Sequence, residues 1–413
     1  MALLLQSYTF GKQYLDSWLH PAPQKNPNAL KLGVLSTAQI NSAAGKFTPF
    51  HCDTTGANEG IVIDPVATHP DVVLYAIASR DESTAASFAS KYHFQKSYGS
   101  YEALLADPEV DFVYISTPNG LHFEWASKAL DAGKHVLLEK PFTSNAIEAE
   151  ALVQKSKQSG KILMEAFHWQ FHPAAHLFRE LLDSGEYGGI LRTDAAMTTT
   201  PAVPPGDIRW QFDLAGGSLM DMTYAISFTR YALHAETPEK VLSATAGPSS
   251  HDPRVDRSMT AALQFKLRNV NKNADNSNVD STIYTDMSRS YLFGVIPRFW
   301  EFPSIRVETD RAEIYFYNAM MPHLYHYIGI TDKETGKTRY VSLYKGGPLW
   351  KDRGETYWST YRYQLEAFVD KIRGRKPVWW IEGEDSIAQM KTIDEVYKAS
   401  GLPLRPTSPL LAA

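Results

Sequence analysis

The chain has 413 residues, too many for one ordinary hydrophobic core, and this length predicts about two or three domains. A composition of 44% hydrophobic and 21% charged residues is typical of a soluble globular protein, and the net charge of −5 argues against a nucleic-acid partner. The single cysteine, Cys52, excludes an internal disulfide framework and a cysteine-rich zinc site, and no run approaches the roughly 18 apolar residues of a membrane span, so we expect a cytoplasmic protein.

The first 166 residues begin with an arm over 1–29, in which 14–19 is predicted as a short helix, and then alternate between strand-like and helix-like segments. Such alternation predicts a parallel, doubly wound sheet. Residues 41–71 depart from the pattern, because a first crossover helix needs about half that length. We predict that 46–60 is an inserted loop before a helix at 64–69. The predicted strands are 30–36, 72–79, 112–117, 136–140 and 162–166, and the predicted helices are 84–92, 101–106, 121–132 and 145–159.

After residue 166 strand-like alternation dominates, which predicts a second, largely antiparallel domain. Residues 268–281 are rich in Asn and Asp and almost free of apolar side chains, so they are predicted to form a hairpin loop. The predicted strands are 189–198, 242–246, 259–267, 283–287, 304–308, 312–317 and 339–343, and the predicted helices are 172–184, 216–233, 360–373 and 384–399.

Lys140 ends an apolar strand and is followed by Pro141, which lacks the N–H that the next ladder position needs. The preceding strand ends in the same way, at Thr117-Pro118-Asn119. Open α/β sheets bind ligands beyond the carboxyl ends of their strands, so two such exits side by side predict a site that includes Lys140. The simpler alternative is a solvated lysine at the start of a loop.

The first two strands also carry candidate cofactor residues. A dinucleotide-binding turn usually has three glycines, but Gly33-Val34-Leu35 is followed by Ser36 and Thr37, whose hydroxyls could still donate to phosphate. An ordinary strand-to-helix turn is the alternative. At the end of the second strand, Arg80 follows Ser79 where an acidic residue would hold the ribose of NAD. An arginine there suits the 2′-phosphate of NADP, although a surface arginine opening a helix remains possible.

Further polar and aromatic clusters follow the last strand of the first sheet. His168 and His172 lack the third ligand of a metal site, so we predict no metal. Asp221 and Tyr224 are three residues apart in a predicted helix, and a carboxylate beside a phenol near Lys140 would be a proton-transfer set. A tyrosine that belongs to the core is the simpler interpretation. Loop candidates for substrate contact are His323, Tyr325 and His326.

Three motifs together resemble those of the Gfo/Idh/MocA oxidoreductases: Glu139-Lys140-Pro141, Thr117-Pro118-Asn119-Gly120-Leu121-His122, and the Gly-Gly-Ser-Leu-Met-Asp segment ending at Asp221. Over residues 30–405 the chain is most similar to the dimeric dihydrodiol dehydrogenase and NADP-dependent D-xylose dehydrogenase branch. The resemblance implies an NADP-binding Rossmann domain at 30–166. It also implies an α+β substrate and dimerisation domain with a large open-faced, mainly antiparallel sheet at 167–405, leaving a tail at 406–413.

The resemblance also implies roles for individual residues. Lys140 matches the family's catalytic lysine and Asp221 its carboxylate. The family usually has Tyr or His four residues after that aspartate, where this chain has Ala225. The proton-transfer role therefore falls to Tyr224, rotated by about 100° on a regular helix, or to His168. The predicted cofactor contacts are Ser36, Thr37, Ala38, Ile40, Ser79, Arg80, Thr117, Pro118, Asn119, His122, Glu139, Lys140, Arg209 and Trp210.

We therefore predict a homodimeric dehydrogenase or reductase that uses NADP rather than NAD and acts on a carbinol or carbonyl carbon of a sugar or cyclic diol, with no nucleic-acid or membrane partner. One alternative is redox-assisted glycoside cleavage. Another is a non-catalytic, cofactor-sensing regulator that resembles the fungal galactose-pathway repressor. Lys140 and Asp221 favour the enzyme, whereas Ala225 and the inserted loops leave room for the regulator.

Overall fold

The computed structural model describes residues 22–37, 61–200, 202–267, 278–296, 298 and 300–412. The first sheet in these residues has six parallel strands, β1 Leu30–Leu35, β2 Val72–Ala78, β3 Lys96–Tyr98, β4 Phe112–Ile115, β5 His135–Leu138 and β6 Leu163–Glu165. Their order is β3-β2-β1-β4-β5-β6, so the chain reverses its winding between β1 and β4. The strands β2 and β4 contain only apolar and aromatic residues, and β4 is buried along its whole length, as expected for a sheet covered on both faces.

The helices that cover this sheet begin and end at the residues that their sequence favours. At the start of α2 (Glu82–Tyr92) the side chain of Asp81 accepts a hydrogen bond from Thr84 N, and at the start of α5 (Ala146–Ser159) Asn145 accepts one from Glu148 N; both are N-cap contacts. Gly160 ends α5 in the left-handed conformation common at helix C-termini. The helices are α1 Ile63–Ala67, α2 Glu82–Tyr92, α3 Tyr101–Ala106, α4 His122–Asp131 and α5 Ala146–Ser159.

The second sheet has eight strands: β7 Ile190–Thr198, β8 Lys240–Pro248, β9 Asp256–Lys266, β10 Asn278–Asp286, β11 Ser304–Thr309, β12 Ala312–Tyr317, β13 Tyr327–Asp332 and β14 Thr338–Val341. Their order is β14-β13-β12-β11-β7-β10-β9-β8. Neighbours are antiparallel except β7 and β10, which run parallel. Inward and outward side chains alternate in β9 and β12, as in a sheet packed on one face.

Helices also pack on the second sheet, and α8 (Tyr224–Leu233), buried at every residue, contacts β7, β10 and β11. The helices of this half are α6 Pro173–Asp183, α7 Ser218–Asp221, α8 Tyr224–Leu233, α9 Gly347–Trp350, α10 Thr360–Ile372, α11 Gly383–Ser400 and α12 Pro409–Ala412. No helix in the described ranges is long and apolar enough to cross a membrane.

Close backbone packing joins the two halves beside the edge where β4 and β5 end. A Cβ added to Gly120 would lie 2.9 Å from the backbone of Leu214, so the turn after β4 can approach this segment only with glycine there. Asn119 Nδ2 donates to Ala215 O nearby, at 3.4 Å. On the other side, Asp394 Oδ2 of α11 accepts a hydrogen bond of 2.9 Å from Ala146 N at the start of α5.

The predicted fold class is confirmed: a parallel, Rossmann-type sheet is followed by a mainly antiparallel one. The single helix predicted at 216–233 is wrong, because α7 and α8 are separated at Met222 and Thr223. The predicted loop at 268–281 is wrong from residue 278, where β10 begins, and β3 and β13 were missed. The rest of that loop, the insert at 46–60 and the helix at 14–19 lie outside the described residues. The domain limits stay a prediction.

Candidate functional site

The strand ends of the first sheet bring several predicted cofactor residues to one edge. Leu35, the last residue of β1, is level with Ala78 of β2 and Ile115 of β4, and Ile115 is level with Leu138 of β5. The residues that follow are therefore neighbours along the edge, namely Ser36, Ser79, Ser116 and Glu139. Three strand spacings of about 4.8 Å give this row a length of about 14 Å. It is centred on the switch point between β1 and β4, where open α/β sheets bind ligands.

Lys140 lies two residues beyond β5, at the end of this row, and its ammonium is held by Asp221. Lys140 Nζ donates to the backbone oxygen of Asp221 at 2.8 Å and lies 3.3 Å from Asp221 Oδ1. Arg209 Nε is 3.0 Å from the same Oδ1, and its guanidinium also contacts Asp207. One carboxylate thus lies between two cations, and the Lys140 and Asp221 side chains are only 11% and 16% exposed.

The charges around Asp221 decide its protonation state. Burial alone would raise the pKa of Asp221, but Lys140 and Arg209 outweigh it and lower that pKa to about 2. Asp221 is therefore an anion at neutral pH and serves as a counterion rather than as a proton donor. Asp221 also raises the pKa of Arg209.

A fully buried network far along the chain positions the segment that carries Asp221. Asp256 Oδ2 accepts from Ser218 Oγ at 2.7 Å and from Leu219 N at 2.8 Å, at the start of α7. Asp256 Oδ1 accepts from Arg405 at 2.6 Å and from Tyr397 at 2.8 Å. Arg405 Nε also donates to Gly216 O. No local sequence pattern predicts this network, because its partners are distant along the chain.

The break between α7 and α8 decides where Tyr224 points. Met222 has φ −100° and ψ 37°, outside the helical region, so Tyr224 starts a new helix instead of continuing the turn of Asp221. A regular helix would place Tyr224 about 100° from the position four residues after Asp221, and the break removes that constraint. Lys140 Nζ lies 5.5 Å from the centroid of the Tyr224 ring. The structure therefore brings Lys140, Asp221 and Tyr224 together.

His168 joins this group through the Tyr224 hydroxyl. It lies in a 3₁₀ turn, His168–Phe171, and its Nε2 is 2.8 Å from Tyr224 Oη, while its Nδ1 is 2.9 Å from Thr360 Oγ1. The ring of Tyr361 covers the imidazole, with centroids 4.0 Å apart. Sequence reasoning missed Thr360 and Tyr361, because the start of an amphipathic helix carries no sign of a distant histidine.

His122 and Glu139, both predicted cofactor residues, are buried and hydrogen-bonded within the protein. His122 is buried between the two strand exits, with Nδ1 2.7 Å from Pro141 O and Nε2 2.9 Å from Thr117 O. These contacts indicate that His122 holds the chain segments after β4 and β5 together rather than contacting a cofactor directly. The Glu139 carboxylate accepts hydrogen bonds from the Tyr114 hydroxyl and from Lys140 N, and burial raises the pKa of Glu139.

The edge also has the features that a dinucleotide needs. Ser36 adopts φ 107°, a conformation that favours glycine, so the backbone takes a glycine-like path after β1 without the glycine. Thr117 Oγ1 is buried beside the switch point and has no hydrogen-bond partner among the described residues. At the other end Arg80 is exposed, and residues that follow it in the chain line a pocket together with Thr37, namely Ser83, Thr84, Ser87, Phe88, Lys91 and Tyr92. These residues fit a dinucleotide with a phosphate at its ribose.

The other predicted residues are placed as follows. Pro118 precedes a 3₁₀ turn, Asn119–Leu121, beside the switch point. Trp210 Nε1 donates to Pro204 O at 3.0 Å, so the indole is held by its own loop. His323 contacts Thr360, whereas both ring nitrogens of His326 face backbone groups. Ala38 and Ile40 lie outside the described residues.

Two family models match the chain. Residues 56–167 match the model described as "Oxidoreductase family, NAD-binding Rossmann fold" of the GFO/IDH/MocA group, and residues 176–271 match the "GFO/IDH/MocA C-terminal domain". Among curated proteins, the chain is 34% identical over 331 residues to D-xylose 1-dehydrogenase (NADP(+)) 2 of Haloferax volcanii, covering 79% of this chain and 89% of that protein. It is 32% identical over 241 residues to the trans-1,2-dihydrobenzene-1,2-diol dehydrogenase of Mus musculus, covering 58% and 70%.

The fold is also similar to solved structures. A 3-ketoreductase from Actinomadura kijaniata, in complex with NADP and TDP-benzene, aligns with a TM-score of 0.70 over 90% of this chain and 98% of that chain. The sequences are 24% identical, so this comparison supports the fold alone.

Proposed function

The chain belongs to the GFO/IDH/MocA oxidoreductase family, and we propose that it transfers a hydride between NADP(H) and a carbinol or carbonyl carbon of a sugar or cyclic diol. One observation carries the proposal: beyond the end of β5, Lys140 forms an ion pair with Asp221, and Asp221 also pairs with Arg209. Two of the relatives are named for D-xylose and for a cyclic diol, which supports this substrate class.

The residues of the strand edge would hold the cofactor. Backbone groups and hydroxyls at Ser36, Thr37 and Thr117 would face the phosphates, and Arg80 would pair with the 2′-phosphate, which NAD lacks. The hydride chemistry is supplied by the nicotinamide when the cofactor is bound. The preference for NADP rests on Arg80 and on the NADP named for the D-xylose relative.

Lys140 would stabilise the oxygen of the reacting carbon. In the oxidation direction that oxygen gains negative charge, and an ammonium already fixed by Asp221 needs no reorganisation to meet it. Asp221 would hold Lys140 in place and, as an anion, would not compete as an acid. Tyr224 would take the hydroxyl proton in oxidation and return it in reduction. This assignment replaces the family position, which holds Ala225 here.

Variants of Lys140 test the proposal. We expect Lys140→Met to lower kcat by about 10² or more on the best substrate of a panel of pentoses, hexoses, cyclic diols and their carbonyl forms. The affinity for NADP, measured by fluorescence titration, should stay within about threefold of the wild type, because Lys140 acts at the reacting carbon. Lys157→Met is the control, since Lys157 is an exposed lysine paired with Glu384.

The alternatives make different predictions for the same panel. Near-normal turnover by Lys140→Met would refute the assigned role. Tight NADP binding by the wild type with no turnover of any substrate would favour the cofactor-sensing regulator instead. Cleavage of a glycoside without net consumption of NADP would indicate the redox-assisted reaction. The intact contact between Lys140 and Asp221 favours the dehydrogenase or reductase.

We also propose that the outer face of the second sheet forms a homodimer interface. This face carries a group of tyrosines on β12, β13 and β14, in which Tyr317 and Tyr327 stack with centroids 4.9 Å apart. Tyr340 packs edge-on against Tyr327 and is 67% exposed. An exposed aromatic surface of this kind is typical of interfaces. Sedimentation of the wild type and of Tyr340→Glu would test the dimer, which the variant should weaken.

A further inference from the structure

We propose that Thr360 and His323 carry the reaction proton from Tyr224 and His168 toward the surface, as a relay with a fixed resting direction. This inference rests on the proposed function, because a relay has a role only if a proton is exchanged at the reacting oxygen. Thr360 and His323 have no part in the proposed function as stated above, and each holds its hydrogen on a defined atom. Thr360 and His323 would be positioning residues, since neither touches the substrate.

Four side chains form a continuous series of contacts. Tyr224 Oη lies 2.8 Å from His168 Nε2, and His168 Nδ1 lies 2.9 Å from Thr360 Oγ1. Thr360 Oγ1 lies 3.2 Å from His323 Nδ1. The exposed fractions are 3% for Tyr224, 1% for His168, 0% for Thr360 and 9% for His323. The series therefore begins beside Lys140 and ends at its most exposed member.

One backbone amide fixes the direction of all these hydrogen bonds. Thr360 N is 3.4 Å from His323 Nδ1, and a backbone N–H can only donate, so that nitrogen must be the unprotonated one. The Thr360 hydroxyl then donates to the same nitrogen, and its oxygen is left to accept from His168 Nδ1–H. With its hydrogen on Nδ1, neutral His168 accepts at Nε2, so the Tyr224 hydroxyl must donate there.

The burial of the two histidines supports this order. Burial lowers the pKa of His323 to about 3 and that of His168 well below its usual range, so both rings are neutral and each carries one N–H. Tyr361 also packs against both rings, with centroids 4.0 Å from His168 and 6.4 Å from His323. The rings are thus held in the positions that the hydrogen bonds require.

The resting direction points every hydrogen away from Lys140, and this has a chemical consequence. The Tyr224 oxygen keeps a free lone pair for a substrate hydroxyl. During oxidation the C–H hydride leaves for the nicotinamide and the O–H proton passes to Tyr224 Oη. Tyr224 passes its own hydroxyl proton to His168 Nε2, and His168 releases the proton of its Nδ1 to the Thr360 oxygen. Thr360 in turn passes its hydroxyl proton to His323 Nδ1, and His323 releases the proton of its Nε2 to water. One hydride and one proton leave the substrate, and reduction reverses each transfer.

The hydrogen positions can be measured without any substrate. In protein labelled with ¹⁵N-histidine, two-bond ¹⁵N–¹H correlations distinguish the two neutral tautomers, and His168→Gln and His323→Gln assign the signals. We expect the hydrogen on Nε2 in His323 and on Nδ1 in His168. A hydrogen on His323 Nδ1, or a charged ring at neutral pH, would overturn the proposed direction.

Kinetics test the transfer itself. Thr360→Val removes the hydroxyl with little change of shape, and we expect kcat to fall about tenfold or more with a larger solvent deuterium isotope effect. KM and NADP affinity should be unchanged, and Thr360→Ser should restore the wild-type rate. The control is Thr392→Val, a buried threonine whose hydroxyl donates to Ala388 O in α11.

The outcomes separate the relay from the reaction that it serves. If the wild type turns over a substrate and Thr360→Val does so equally fast with the same isotope effect, the relay is wrong and the proposed function stands. If Thr360→Val is slow and Thr360→Ser is equally slow, Thr360 matters for packing and the relay is wrong. If the wild type oxidises and reduces nothing, both proposals fail together.

Discussion

The buried ion pair between Asp256 and Arg405 permits a stability prediction with a clear control. Both side chains are fully buried, and the Asp256 carboxylate accepts four hydrogen bonds, from Arg405, Tyr397, Ser218 and the backbone of Leu219. In Asp256→Asn the shape is nearly kept, but an NH₂ group replaces one oxygen and meets donors. The Arg405 guanidinium then stays buried without its counterion.

The expected loss follows from these contacts. Removing one partner of a buried ion pair costs about 3–5 kcal/mol, because the other charge is left unpaired. We expect Asp256→Asn to lower the free energy of unfolding by about 4 kcal/mol. Unfolding entropy is about 2.1 cal/mol/K per residue, so 413 residues unfolding together would convert this loss into a drop in Tm of about 5 °C.

Two further variants make the measurement specific. Asp252→Asn alters the nearby pair with Arg254, whose side chain is 52% exposed, and should change the free energy of unfolding by about 0.5 kcal/mol or less. The double variant Asp256→Asn/Arg405→Met removes the unpaired cation and should recover part of the loss. Urea and thermal unfolding curves of all four proteins provide the comparison. A loss under about 1 kcal/mol for Asp256→Asn would refute the argument.

The same substitution should also affect turnover. Asp256 holds Ser218 and Leu219 at the start of α7, and the last residue of α7 is Asp221, the partner of Lys140. A looser start of α7 would displace Asp221. We therefore expect a lower kcat at temperatures well below the Tm, where the Asp256→Asn protein is still folded, with little change in NADP affinity. The Asp252→Asn control should keep the wild-type kcat.

Three other predictions concern the edge of the first sheet. Arg80→Ala should weaken NADP binding by about 2 kcal/mol and leave NAD binding nearly unchanged; equal losses in titration calorimetry would contradict this. Ser36→Gly should keep cofactor binding and the Tm, because φ 107° suits glycine, and a Tm drop above about 3 °C would disagree. Burial raises the pKa of Glu165 to about 8, so the stability of wild type relative to Glu165→Gln should fall by about 2–4 kcal/mol between pH 5 and 8; a difference that stays constant with pH in urea unfolding would exclude this.

The sign of the Glu165 effect follows from its two states. The unfolded carboxyl loses its proton near pH 4.5, whereas the folded one keeps it up to about pH 8. Between these values unfolding releases a proton, so a rising pH favours the unfolded chain. The contribution of Glu165 is therefore favourable at low pH and is lost as the pH approaches 8.

Local patterns were sufficient to predict five of the six strands of the first sheet and the edge where they end. Short apolar strands, crossover helices and the prolines at 118 and 141 are signals within a few residues, and they located Lys140 beyond β5. Parallel pairing then brings Ser36, Ser79 and Glu139 to the same edge with no further information. This part of the site could be predicted because sheet topology converts sequence order into spatial order.

The remaining features depend on contacts that no local pattern contains. Asp256 and Arg405 are 149 residues apart, and His168 and Thr360 are 192 apart. β13 was missed because its Gly329 weakens the strand pattern; a Cβ added at this position would lie 3.3 Å from the ring of Tyr340. The break after Asp221 was missed because Met222 and Thr223 carry no helix-breaking signal.

The break in the helix and the histidine at 168 belong to one arrangement. Tyr224 follows Asp221 by three residues, so a continuous helix would turn its ring away from the position four residues on. The interruption at Met222 frees Tyr224, but its buried hydroxyl then needs a partner, because an unpaired buried polar group is costly. His168 supplies that partner at 2.8 Å, and Thr360 and His323 satisfy His168 in turn. Because of the break, each buried polar group from Tyr224 onward needs the next one as its hydrogen-bond partner. The result is a continuous chain of hydrogen bonds, and proton transfer out of the site requires such a chain.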